Sequence, residues 1–127
     1  MHALKLHATA ETFPLAEAFV ISRGAKTEAN VVVCELHDER GHRGRGEAVP
    51  YARYGETVAG TLEALATYRG PLDRMALLDT MPPGAARNAL DCALLDLAAK
   101  AAGVPAHIVA GCAPMRPVET CYTLSLG

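Results

Sequence analysis

The 127-residue sequence lacks tryptophan, has only two phenylalanines and carries a formal net charge of -2. It has no basic stripe interleaved with aromatic residues, so the composition gives no reason to expect nucleic-acid binding. No apolar run approaches the roughly 20 residues needed to cross a bilayer, and the N-terminal residues lack the apolar segment of a signal peptide. We therefore expect a cytosolic protein whose partners include neither nucleic acid nor membrane.

The sequence also lacks paired cysteines, because its four cysteines show no C-x-x-C spacing. In a cytosolic chain such residues are usually small buried hydrophobes rather than a disulfide framework or a zinc site. His37 and His42 lie near one of them, but no fourth ligand stands at a recognised zinc spacing. We predict exposed turn histidines there and no metal ligand in this chain. The four cysteines are Cys34, Cys92, Cys112 and Cys121.

The strongest periodic signal lies in residues 85–103, AARNALDCALLDLAAKAAG, which predict an α-helix. Gly103 and Pro105 mark its end, because glycine suits the C-terminal cap and proline cannot continue a helix. Asp96 and Lys100 are spaced for a favourable i,i+4 pair. The many alanines allow close approach, so we predict a central helix packed on a sheet or on other helices. Its apolar stripe comprises Ala86, Ala89, Leu90, Ala93, Leu94, Leu97 and Ala101.

The first half of the chain has the composition of β-strands. Residues 3–9, 29–37 and 43–49 predict three strands, and the DERG sequence before the third has turn chemistry. Residues 12–28 lack periodicity and contain proline and glycine, so they predict a long loop, which in a compact domain usually binds something or covers a site. The three strands indicate an antiparallel meander.

Helical patterns follow the strands and surround the central helix, at residues 58–70, 72–80 and 105–111. Strands followed by helices indicate an α+β domain in which the helices cover one face of the sheet.

The last residues do not fit this arrangement of strands followed by helices. Residues 118–126, VETCYTLSL, predict a strand without a partner, and an unpaired final strand is prone to aggregation. We therefore expect the chain to be part of a longer protein, with one domain over residues 1–115 and the start of a second over residues 116–127.

Three motifs in the same order resemble the N-terminal capping domain of the enolase superfamily. They are GRGEAVPYARYGET (residues 44–57), ARNALDCALLDLAAKAAGVP (residues 86–105) and CYTLSLG (residues 121–127). Within that superfamily they resemble the muconate-lactonizing subgroup. ISRGAKTEANVVV (residues 21–33) and CYTLSLG bring the chain closest to the dipeptide epimerases of the L-Ala-D/L-Glu type.

The resemblance implies a three-stranded meander followed by a helical bundle, with residues 118–126 as the first strand of a missing TIM-like barrel. That barrel would supply two catalytic lysines and three carboxylates for Mg²⁺, which stabilises the ene-diolate formed when the α-proton leaves. This chain has three lysines and no K-x-K motif. We therefore expect no catalytic residue and no bound metal here, an inactive fragment, and in the complete enzyme a barrel partner, Mg²⁺ and a homo-oligomer.

The resemblance also assigns candidate substrate-binding residues. Arg23 would hold the carboxylate of an acidic dipeptide, since a guanidinium grips a carboxylate in a bidentate way. Thr123 would line the pocket near the substrate. Tyr51 and Tyr54 would wall the pocket or pack beneath their own loop. For Lys26 we favour a solvent-facing position over a second carboxylate contact.

Other interpretations stay open at this stage. An N-acylamino acid racemase, an o-succinylbenzoate synthase and a muconate-type cycloisomerase are alternatives within the same superfamily. A stand-alone, non-catalytic binding module is an alternative of another class. Gly44 and Gly46, in GRGE, predict tight-turn geometry at a strand rather than nucleotide binding, because no helix follows them.

Overall fold

The structure is a computed structural model that describes residues 4–22 and 24–122. Its first half is an antiparallel sheet in the order β1-β2-β3, formed by β1 (Lys5–Ile21), β2 (Gly24–His37) and β3 (Arg43–Ala48). Helices occupy the second half. The predicted α+β class, with a three-stranded meander followed by helices, is confirmed.

The described helical half begins with a short 3-10 helix and continues with α-helices. Thr57 Oγ1 accepts a hydrogen bond from Gly60 N at 3.0 Å and caps the first of them. Asp73 Oδ1 caps the second by accepting from Met75 N at 3.0 Å and Ala76 N at 2.9 Å. These short polar side chains satisfy backbone donors that the first helical turn leaves unpaired. The elements are the 3-10 helix Ala52–Tyr54, α1 (Val58–Thr67), α2 (Arg74–Thr80), α3 (Ala85–Ala102) and α4 (Ala106–Val109).

The prediction of a loop over residues 12–28 was wrong. β1 and β2 continue through this segment as a two-stranded extension of the sheet, the hairpin arm (residues 13–22 and 24–29). The arm is paired outward as far as Ile21 and Gly24, with a shift of register between Pro14 and Phe19. The described side chains of the arm are exposed, except that Ala29 at its base is half-buried. Because neither face of the arm is covered, its sequence does not need the alternation by which half-buried strands are recognised. Hydrogen bonds between the two backbones define it instead.

The core lies between the sheet and the helices. Val32, Cys34 and Leu36 on β2 are fully buried and belong to one apolar cluster with α3. Leu65 of α1 and Leu77 of α2 close the same cluster. The predicted central position of α3 is therefore confirmed. Its buried residues are Ala85, Ala89, Leu90, Ala93, Leu94, Leu97 and Ala99.

Gly44 and Gly46 on β3 allow α3 to lie directly against the sheet. A Cβ atom at Gly44 would stand 2.2 Å from Ala93 O, and one at Gly46 would stand 1.9 Å from Ala89 O. Neither glycine has a positive φ. The tight-turn interpretation was therefore wrong, because these glycines serve helix packing and not a turn.

Polar contacts hold α3 along the same strand. Asp96 Oδ2 accepts from Arg45 N at 2.8 Å and from Lys100 Nζ at 2.7 Å, so the predicted i,i+4 pair is confirmed. Lys100 Nζ also donates to Arg43 O at 2.9 Å. The strand β3 is thus paired with β2 on one side and hydrogen-bonded to α3 through these side chains.

The predicted final strand does not form in the described residues. Residues 112–122 belong to no helix or strand and are exposed, while the rest of the predicted strand lies outside the described residues. A strand needs a neighbour that pairs with its backbone, and the described part of this chain offers none to residues 118–122. Among the helices of residues 4–22 and 24–122, none has the length and hydrophobicity to span a membrane.

Candidate functional site

The end of the hairpin arm lies next to a second segment beside the sheet. This segment is the second loop (residues 50–56). The second loop is built on its own backbone hydrogen bonds. Tyr54 N donates to Tyr51 O at 2.9 Å, and Gly55 N donates to Ala52 O at 3.0 Å. Gly55 has a φ of 75°, a left-handed conformation that glycine adopts without strain. The loop is therefore a compact turn rather than an extended connection.

A cleft of about 620 Å³, the arm cleft, lies between these segments. One wall is formed by Gly24, Ala25 and Lys26 of β2, and the other by residues 50–53 of the second loop. Lys26 Nζ stands 5.4 Å from the centroid of the Tyr51 ring. That distance is within the range of a cation-π interaction, which joins the arm to the second loop. Lys26 is exposed, as predicted, but it also touches the loop.

The arm cleft combines an aromatic surface with positive charge. Tyr51 is 41% exposed and can offer its ring to a ligand. Lys26 and Arg53 line the cleft from opposite walls. Cationic side chains next to an aromatic ring suit a small ligand that carries a carboxylate, because ammonium and guanidinium groups form charge-assisted hydrogen bonds with it.

Tyr54 takes a different position from Tyr51. Its ring centroid is 5.8 Å from that of Tyr51, and the residue is 76% exposed. Tyr54 borders a neighbouring depression of about 580 Å³, shared with Val49, Pro83 and Asn88, and is not among the residues that line the arm cleft. The structure thus places Tyr51 against both cavities and Tyr54 against one.

Glu56 closes the second loop. Its Oε2 accepts from Tyr51 N at 3.0 Å, and its Oε1 accepts from Ala85 N at 2.7 Å. The hydrogen bond from Ala85 N, followed by that from Tyr51 N, lowers the pKa of the Glu56 carboxyl below its ordinary value. Glu56 is therefore ionised at neutral pH and connects the second loop with the first residue of α3.

Two of the predicted site residues, Arg23 and Thr123, lie outside the described residues. Arg23 immediately precedes Gly24, which lines the arm cleft. The assignment of both residues to substrate binding stays a prediction.

Sequence reasoning missed Arg53 and Glu56. Both stand in the GRGEAVPYARYGET motif, but the motif assigned neither of them a role, and Glu56 makes its contact with Ala85 across 29 positions of the chain. One signal was available for Glu56. The helix α3 begins after Gly84 with Ala-Ala-Arg-Asn, so neither the residue before it nor its first turn offers an acidic side chain. A helix that starts in this way needs an acceptor from elsewhere in the fold.

Among residues 4–22 and 24–122, no group of three His, Cys, Asp or Glu side chains is placed to hold a metal ion. His42 instead pairs with Asp38, with 2.7 Å between Nδ1 and Oδ2.

Cys34 is buried as predicted, and burial raises the pKa of its thiol to about 12. A thiol in that state is a poor nucleophile. The other three cysteines, expected to be buried, are exposed.

The sequence profile of the mandelate racemase / muconate lactonizing enzyme N-terminal domain matches residues 3–111 of the chain. The chain belongs to this family. The resemblance to the N-terminal domain of the enolase superfamily, and to its muconate-lactonizing subgroup, is therefore confirmed.

Individual proteins of this family show which of its enzymes the chain is similar to. L-Ala-D/L-Glu epimerase of Escherichia coli strain K12 is 49% identical over 94 residues, which are 71% of this chain and 29% of that enzyme. An enolase family member from Agrobacterium tumefaciens with homology to dipeptide epimerases was solved with sodium and L-Ala-L-Glu. It is 42% identical with a TM-score of 0.82, and the match covers 98% of this chain and 39% of that one.

A dipeptide epimerase from Cytophaga hutchinsonii, complexed with Mg and D-Ala-L-Val, superposes with a TM-score of 0.80 at 29% identity. This match covers 99% of the present chain and 37% of that one. The chain therefore spans between 29% and 39% of the length of these three relatives.

Proposed function

We propose that this chain is the N-terminal substrate-specificity domain of a Mg²⁺-dependent dipeptide epimerase of the L-Ala-D/L-Glu type. The complete enzyme would invert an α-carbon by removing its proton and returning it on the other face. Support comes from the family membership and from the relatives that are dipeptide epimerases. The activity would belong to the complete protein, of which this chain is the inactive N-terminal part.

Mg²⁺ would stabilise the ene-diolate that proton removal creates. The described residues do not fit such a metal, because they bring no three carboxylate or imidazole ligands together. In this proposal the ligands and the acid-base lysines come from the rest of the enzyme, and no chemical step runs through this chain.

The observation that carries the proposed role is the arm cleft. It places Lys26 and Arg53 on opposite walls beside the exposed ring of Tyr51. Arg23 stands one residue before this wall in the sequence. These groups would bind the side-chain carboxylate of an acidic dipeptide, while the arm and the second loop limit the access of water. Exclusion of water strengthens each charged contact within a closed site.

The test is a comparison of dipeptides in the full-length enzyme with Mg²⁺. Arg23→Ala should lower kcat/KM for L-Ala-L-Glu by roughly tenfold to hundredfold, as expected when a charge-assisted hydrogen bond is lost. The value for L-Ala-L-Ala should change by less than about threefold, because that substrate lacks the carboxylate.

Arg40→Ala is the matched control. It removes another arginine, which is exposed and lies in the turn between β2 and β3, at the end of β2 opposite to the arm cleft. Equal losses for both dipeptides, or no loss for either, would contradict the carboxylate role of Arg23. Activity on N-acylamino acids but on no dipeptide would support the racemase alternative, and the absence of any isomerase activity would favour a binding module.

A further inference from the structure

The carboxylate of Glu56 joins two elements that are far apart in the chain. It accepts one hydrogen bond from Tyr51 N within the second loop and one from Ala85 N at the start of α3. A carboxylate that accepts a backbone N–H hydrogen bond on each of its oxygens is held in place by two contacts from different directions. The second loop is therefore held on the end of a long helix that has one buried face.

The start of α3 is shaped to receive this carboxylate. Gly84 precedes the helix and has no side chain that could cap it. Its φ is 152°, and a Cβ atom there would stand 2.7 Å from Glu56 Oε1. Glu56 takes the place of the missing cap and puts a negative charge at the N-terminus of α3, where the helix dipole favours it.

The hydrogen bond between Tyr51 N and Glu56 also affects the wall of the arm cleft. Glu56 holds the backbone N–H of Tyr51, and the ring of Tyr51 lies beneath Lys26 of the hairpin arm. Residues 50–53 form one wall of the cleft, so the position of that wall depends on where the loop is anchored. No side-chain atom of Glu56 needs to touch a ligand for this effect.

We propose that Glu56 is a positioning residue that sets the geometry of the arm cleft by tying the second loop to α3. The proposal rests on the proposed function for its effect on substrate, but the tether itself is independent of any activity. In the complete enzyme, loss of the tether should weaken substrate binding more than it slows the chemical step.

The tether is tested by amide hydrogen exchange in the full-length protein. Glu56→Ala should make Tyr51 N–H and Ala85 N–H exchange roughly tenfold faster or more, since each loses its acceptor. Asp73→Ala is the matched control, because it removes a carboxylate cap whose hydrogen bonds go to Met75 N and Ala76 N of α2. Unchanged exchange at both amides in Glu56→Ala would overturn the tether, as would the same acceleration in Asp73→Ala.

The effect on substrate is tested by kinetics on the same variants. Glu56→Ala should raise KM for L-Ala-L-Glu by roughly tenfold and change kcat by less than about threefold. Glu56→Gln keeps one acceptor oxygen and should recover part of the loss, and it serves in place of Glu56→Ala if that variant does not fold. A fall in kcat with unchanged KM, or an equal effect of Asp73→Ala, would overturn the positioning role.

These two experiments separate the inference from the proposed function. If the wild-type protein epimerises no dipeptide, the proposed function fails, while the exchange experiment still decides whether Glu56 ties the second loop to α3. If the wild-type protein is active and Glu56→Ala leaves KM unchanged, the positioning role fails and the proposed function stands.

Discussion

The contact between α3 and β3 leads to a sharp prediction for Gly46→Ala. The added methyl carbon would stand 1.9 Å from Ala89 O and 2.6 Å from Ala93 N, both of them backbone atoms. To reach the 3.4 Å of an ordinary contact, α3 must withdraw by about 1.5 Å. The helix would then lift its buried residues from β2, and close-packed interiors resist such shifts. We expect Gly46→Ala to destabilise the domain by about 3 kcal/mol or more, at the upper end of overpacking substitutions.

The assay is the thermal midpoint of the full-length protein, with Gly41→Ala as the control. A methyl carbon added at Gly41 would have no neighbouring atom within 4 Å, but the φ of this residue is 88°, so alanine there carries backbone strain without a clash. That strain should cost only about 1 to 2 kcal/mol. If Gly46→Ala lowered the midpoint no more than Gly41→Ala, the reasoning on helix-to-strand contact would be refuted.

Two further predictions concern titration and thiol chemistry. Because the pKa of Glu56 is lowered in the folded protein, its ionised form stabilises the fold above the ordinary pKa of 4.5, and this contribution is lost as the pH falls through the folded value. The difference in thermal midpoint between wild type and Glu56→Gln should therefore shrink between pH 7 and pH 3, and a constant difference would contradict this. Cys34 should resist a thiol reagent at pH 8 until the protein unfolds, because it is buried and its pKa is about 12; labelling of Cys34 in the native protein, read by peptide mass, would contradict it.

The parts of the fold that could be predicted are those whose side chains enter the core. The β-branched run of β2 is buried from Val31 to Cys34, and the periodicity of α3 arises because one face of the helix is buried. The hairpin arm could not be recognised in this way, since Phe13 and Phe19 are exposed although they lie on a strand. Its pairing depends on the backbone of a neighbouring segment, which a local pattern does not reveal.

The roles of the β3 glycines and of the acceptor at the start of α3 could not be predicted, for a related reason. Gly44 and Gly46 are required by contacts with helix residues more than 40 positions later in the chain, and the sequence around them, HRGRGEA, does not indicate these contacts. Glu56 likewise finds its partner Ala85 through the fold. Contacts of this kind join distant residues, so they become visible only when the tertiary structure is known.

The candidate site likewise contains residues that the resemblance indicated and residues whose position only the structure shows. The resemblance supplied Arg23 and Tyr51, because both stand in or beside motifs of the family. The structure added Arg53, and it showed that Lys26, predicted to face solvent, lines the same cleft. The cation-π contact between Lys26 and Tyr51 links the arm to the second loop, and this spatial relation supports the role in substrate selection.

The most direct test of the account is α-proton exchange in deuterated water with L-Ala-L-Glu and Mg²⁺. The full-length protein should place deuterium at the α-carbon of the glutamate residue and form L-Ala-D-Glu, whereas the 127-residue chain alone should do neither. Failure of the full-length protein to exchange that proton would contradict the proposed epimerase, and exchange by the isolated chain would contradict the division of labour between this domain and the rest of the enzyme.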